Sequence, residues 1–130
     1  MAPTARWEFF DSPEFENSKI AKEMRQAKLS RNERFLLESL MEKVATGKGT
    51  AGLDFKMLRQ EGLSELRFSG DRRIFRLLYS SERRDVLVLV GLSFVPKKGN
   101  KLPRQDFDTA RARLESWRDS NPAPPIIINR

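Results

Sequence analysis

The chain has 130 residues, enough for one domain around a single modest core, and carries a net charge of +7 with neither cysteine nor histidine. Those absences exclude disulfides, thiolate metal sites, histidine-based triads and the commonest general base, so any chemistry must run on Lys, Arg, Glu, Asp or Tyr. The excess charge is confined: residues 51–104 hold 12 basic and 6 acidic side chains, a net of +6, against +1 for residues 1–50 and zero for 105–130.

From the start, MAPTARWEFF lacks the cationic and then apolar pattern of a signal peptide, and Arg6 to Phe10 suits a short first strand. Ser12, Pro13 and Glu14 together predict a helix start, because the hydroxyl accepts a free backbone N–H and proline fits the first helical position. The helix that follows is polar, with Phe15, Ile20, Met24 and Ala27 as a narrow apolar stripe. Ser30 with Glu33 forms a capping box that opens a second helix, after a tight turn at Lys28 to Ser30. Leu37, Leu40, Met41 and Val44 fall at i, i+3, i+4 and i+7 on its buried face, and Gly47 and Gly49 end it.

Beyond this point the period changes. Leu63 to Phe68 predicts a strand, Ser69-Gly70-Asp71 a turn, and Arg73 to Tyr79 the returning strand, followed by a polar connection at Ser80 to Asp85. Val86 to Val95 is an apolar, β-branched run expected of a strand covered on both faces. Its longest uninterrupted part, Val86 to Leu92, is too short to span a bilayer, so the expectation is a soluble cytoplasmic protein with no membrane partner. A last helix starts near Pro103 and runs to about Arg118, with Phe107, Ala110, Leu114 and Trp117 on one side. The order β-α-α-β-β-β-α predicts an α+β domain over residues 1–119 with an antiparallel meander, and a proline- and isoleucine-rich tail over 120–130. Ile126 to Ile128 either form a loose end or dock on a groove or sheet edge.

Three basic features lie in the charged middle segment. Arg67 and Arg76 fall on neighbouring strands, where they either converge on a phosphate with bidentate geometry or form surface ion pairs with Glu65. Lys97, Lys98 and Lys101 leave the end of the central strand at the rim of the sheet. Lys56 and Arg59 fall in the loop that leads into the meander, and Arg73 opens the returning strand. A focused positive field steers polyanions, and phosphate contacts dominate nucleic-acid affinity. A solvated surface kept for solubility accounts for the same count. Gly47-Lys48-Gly49-Thr50 is a fragment of a phosphate loop, but it follows a helix instead of a strand. The carboxylates form no cluster of the kind a two-metal nuclease needs. What remains is phosphoryl chemistry driven by positive charge, for which RNA supplies its own nucleophile in the 2′-hydroxyl.

The stretch from about Phe55 to Arg118 resembles the HigB-like, phage-derived branch of the RelE/ParE toxin superfamily. The resemblance is carried by Gly62-Leu63-Ser64-Glu65-Leu66-Arg67 (L-x-E-L-R) and Phe75-Arg76-Leu77-Leu78-Tyr79 (R-x-L-Y). Further on come Lys97-Lys98-Gly99-Asn100-Lys101-Leu102-Pro103 (K-K-x-x-K-x-P), then Ala110 and Arg113 (A-x-x-R). It implies a RelE/ParE-like fold and a type II toxin that cleaves mRNA in the ribosome without cofactor or metal. Its implied partner is a cognate antitoxin of helix-turn-helix type. On the matching motifs Arg67, Arg76, Lys97 and Lys98 are the implied catalytic residues, and Lys56, Arg59, Arg73 and Lys101 the RNA contacts. One lysine is the implied proton acceptor. Two departures stand out. Val95 takes the place of the usual aromatic before the lysine pair, with Pro96 interposed, and no terminal tyrosine is present. Tyr79 sits at a motif position that looks structural. Gyrase inhibition of the ParE kind and a non-catalytic RNA- or protein-binding role are the alternatives the same scaffold allows.

Overall fold

A computed structural model of the chain describes residues 5–58, 62–96 and 102–123. Five strands and three helices follow in order: β1 (Arg6–Phe9), α1 (Lys19–Gln26), α2 (Arg31–Ala45), β2 (Phe55–Leu58), β3 (Leu63–Ser69), β4 (Ile74–Arg83), β5 (Leu87–Pro96) and α3 (Arg104–Ser120). One mixed sheet has the order β1-β5-β4-β3-β2, with β1 parallel to β5 and every other pair antiparallel.

Helices cover both faces. Ile20, Met24 and Leu37 from the helical hairpin pack on Leu66, Phe68, Phe75, Leu77, Tyr79 and Phe94. On the other side Ala110, Leu114 and Trp117 of α3 pack on Leu63, Leu78, Val88, Val90 and Leu92. Each fully buried Leu or Phe contributes about 1.5–3 kcal/mol, so the two faces share the stabilisation. The apolar run of β5 is therefore sandwiched, as its composition predicts. A bulge sets its phase. Leu78 pairs Ser93 while Tyr79 pairs Gly91, leaving Leu92 as the extra residue. This is why Leu92 faces α3 while Phe94, two places on, faces the hairpin.

The capping box of α2 is present in full, with the Ser30 hydroxyl accepting from the Glu33 N–H and the Glu33 carboxylate accepting from the Ser30 N–H. Lys28 takes a positive φ of 55° in the interhelical turn, and Gly47 a φ of 74° just past the end of α2.

Three elements differ from the sequence reading. The first helix starts at Lys19, capped by Ser18, and not at Ser12. Ser12 exchanges backbone hydrogen bonds with Phe9 in a tight turn, which commits its peptide groups before a helix can begin. Residues 55–58 form a strand at the edge of the sheet where a loop was expected. Four residues carry little periodic signal, and it is pairing with β3 that makes them a strand. β4 runs on to Arg83 through what reads as a polar connection. Its buried Glu82 is satisfied by the Ser80 hydroxyl at 2.7 Å and by Arg118 Nε at 2.6 Å. The N-terminal strand, whose pairing the sequence leaves open, joins parallel to β5, so the sheet is mixed.

A candidate cationic site on the sheet

Residues directly opposite in a ladder share a face, and the register therefore builds the site. Lys56 faces Glu65, Glu65 faces Leu78, and Leu78 faces Ser93, giving one row across four strands. In the next row Arg67 faces Arg76, and Arg76 faces Val95. This second row lies where β5 ends and the chain leaves towards α3. On the opposite face the strands are pinned by stacked rings, with centroids 5.1 Å apart for Phe68 and Phe75 and 5.3 Å for Phe75 and Phe94. The arginine row thus rests on a rigid support.

Arg67 and Arg76 are brought together, and Glu65 joins them. Arg67 Nη2 donates to Glu65 Oε1 at 2.9 Å, and Arg76 Nε stands 3.5 Å from Glu65 Oε2. Of the two alternatives the sequence leaves open, the ion pairs with Glu65 form, but not both at the surface: the Arg76 and Glu65 side chains are each 3% exposed, while Arg67 is 41% exposed. Arg76 Nε donates to no acceptor among the described residues. A buried donor left without a hydrogen bond costs about 1–3 kcal/mol, which the adjacent Glu65 charge offsets.

Lys56 lies on the same face as Glu65 and is exposed, so it belongs to the rim of this site. Arg73 does not. Its guanidinium stacks 4.6 Å from the Phe75 ring centroid and lies 3.8 Å from the Glu33 carboxylate, on the helical-hairpin side of the sheet. There it ties the β3–β4 turn to the start of α2. Arg59, Lys97, Lys98 and Lys101 lie outside the described residues, as do Ile126 to Ile128.

Tyr79 faces the hairpin core, its ring tilted at 58° against Trp7 with centroids 5.2 Å apart. Burial pushes its hydroxyl up to about 12, against a smaller opposing effect of the Ser64 hydrogen bond, and leaves it unsuited to proton transfer near neutrality.

Arg113, part of the A-x-x-R motif, has a structural task that spacing alone does not disclose. β1 stops where Phe9 pairs Gly91, so β5 has an open outer edge from Leu92 onward. Arg113 Nη1 donates to the Leu92 carbonyl at 2.9 Å and to Glu23 Oε2 at 3.0 Å. Glu23 Oε1 accepts the Phe94 N–H at 3.0 Å. One ion pair from α1 and α3 thereby closes an edge that would otherwise invite another strand.

The fold and the arginine row together define a small α+β protein, helices on both faces of a five-stranded mixed sheet, with a cationic site at one end of one face. The chain belongs to the family described as Phage derived protein Gp49-like, whose model matches residues 12–115. That stretch spans the helical hairpin, the whole meander and most of α3. No curated protein matches the sequence. No helix among the described residues is long and apolar enough to cross a membrane.

Proposed function

We propose that this protein is the toxin of a type II toxin–antitoxin pair and acts as a ribosome-dependent mRNA endonuclease. Membership of the Gp49-like family, a RelE/HigB-like toxin family, supports the first part. The observation that carries the second is the direct juxtaposition of Arg67 and Arg76 on one sheet face, beside the exposed Lys56. Attack of a 2′-oxygen on the adjacent phosphorus forms one P–O bond and breaks the bond to the 5′-oxygen. Negative charge builds on the non-bridging oxygens, and paired guanidiniums match it in geometry and sign. A lysine of the Lys97-Lys98 pair accepts the 2′-hydroxyl proton, and the leaving 5′-oxygen takes up a proton in turn. The cognate antitoxin covers the cationic face or packs on the helices through acidic and apolar segments that order on binding.

The test is a translation extract supplied with the protein. Message cut within codons is expected, with Arg67→Ala slowing cleavage by about 10²–10³-fold and Arg67→Ala with Arg76→Ala abolishing it. Intact message with normal translation overturns the proposal. The burial of Arg76 against Glu65 favours a second reading, in which the pair only ties β3 to β4 in a non-catalytic relative. That reading expects overexpression without growth arrest. A supercoiling assay identifies the ParE-like case, in which gyrase stops while message stays whole.

A further inference from the structure

β1 is the last strand on its side of the sheet, and a groove opens between it and the helical hairpin. Trp7 and Phe9 of β1, Phe15, Met24 of α1, and Leu37 and Met41 of α2 line a cavity of about 380 Å³. Left open, it keeps apolar surface in water, which burial of aliphatic side chains would relieve. Its α2 wall carries Glu38 and Glu42 against the single guanidinium of Arg34, so the groove is locally acidic on a chain of net charge +7.

The end of α3 lies just across β1 from this groove. Trp117 Nε1 donates to the Glu8 carboxylate at 3.5 Å, Arg84 Nε donates to the Asn121 carbonyl at 2.8 Å, and the Asn121 amide donates to the Trp117 carbonyl at 2.9 Å. These bonds fix where the chain leaves the helix, beside β1 on the α3 face. Trp7 and Glu8 are consecutive in the strand and point to opposite faces, so the groove lies on the far side of that same strand. The sequence continues as Pro122-Ala123-Pro124-Pro125-Ile126-Ile127-Ile128-Asn129-Arg130. Proline cannot continue the helix and favours an extended chain, in which the five residues from Asn121 to Ile126 span about 15 Å, enough to round the edge of one strand. Side chains of an extended segment alternate, so Ile126 and Ile128 share a side with Arg130 while Ile127 takes the other.

We infer that this groove is the docking site of the chain's own C-terminal segment. The tail rounds β1 and seats Ile126 and Ile128 against Trp7 and Met41, with Arg130 towards the Glu38 and Glu42 wall. It matches the groove in apolar pattern and in charge, and its tether to α3 keeps it at high effective concentration. Once docked, it straps the end of α3 to the helical hairpin across an otherwise open sheet edge. A partner segment that uses this groove competes with the tail for it.

The test is NMR of the full chain carrying methyl-labelled isoleucine. The ring current of Trp7 should move the Ile126 and Ile128 methyl resonances upfield, and cross-relaxation should join them to Trp7 and Met41. Ile126→Asp with Ile128→Asp should abolish these contacts and shift the Trp7 indole N–H resonance, whereas Ile127→Asp should keep them. The Phe68 and Phe94 ring resonances should stay in place throughout and report an intact sheet. Mixing labelled with unlabelled chains separates contacts within one chain from contacts between copies. Contacts found only between copies make the groove a dimer interface and overturn the inference. So does the absence of any contact from these methyls to Trp7 or Met41, or their complete loss in Ile127→Asp.

Discussion

At the scale of single residues, buried carboxylates organise this molecule more than its many cations do. Glu33 caps α2 and reaches on to accept the Asp71 N–H at 3.1 Å, so one side chain links a helix start to the β3–β4 turn. Gly70 lies against that carboxylate, and a Cβ there would collide with Glu33 and crowd Phe75 at 2.9 Å. Gly70→Ala should cost about 1–3 kcal/mol in chemical denaturation, by displacing a group that makes several bonds. Glu82 is the acid-sensitive counterpart. Burial alone would raise its pKa, but hydrogen bonds from Arg118 and Ser80 and the nearby Arg84 charge hold it below the usual carboxylate range. A depressed folded pKa contributes stability above the unfolded value and loses it as pH falls through the folded value. Stability should therefore decline on acidification over that window, and Glu82→Gln should flatten the decline in melts recorded across the acid range.

At the scale of elements, what decides each segment is where its backbone hydrogen bonds go. The capping box made α2 legible from Ser30 and Glu33, and Ser30→Ala should cost about 1 kcal/mol. The hydroxyl also donates to Asp71 at 3.0 Å, so hydrogen exchange should quicken in the β3–β4 turn as well as in the first turn of α2. The outer edge of β5 was not legible, because nothing in the sequence says that β1 stops at Phe9. Glu23→Ala leaves the Phe94 N–H and the Arg113 guanidinium without this partner. It should cost about 1.5–3 kcal/mol and raise the tendency of the protein to self-associate, measured by denaturation and light scattering. Helix α1 misled for a related reason: Ser12 has the chemistry of a cap, but its backbone is already spent on Phe9.

At the scale of the whole molecule, the charge excess becomes a direction. The sheet divides the basic residues, sending Arg73 to the hairpin side and Lys56, Arg67 and Arg76 to the α3 side. If RNA binds this face, affinity should fall steeply with salt, and Lys56→Ala should reduce the slope of log K against log salt by about one unit. Filter binding with a message fragment between low and physiological salt measures this, and an unchanged slope would remove Lys56 from the interface.

The sequence alone determined the α+β class, the helical hairpin, the meander and α3, because periodicity, caps and turn residues act through neighbours only a few positions apart. It also named Arg67 and Arg76 as a pair and Glu65 as a partner for either. Tertiary structure decided the rest. It made a strand of residues 55–58, carried β4 on to Arg83, and set β1 parallel to β5. It moved Arg73 away from the other arginines and buried the Arg76–Glu65 ion pair. Each outcome depends on which backbone groups and charges meet across the sheet, and burial strengthens or penalises those meetings according to contacts far apart in the chain.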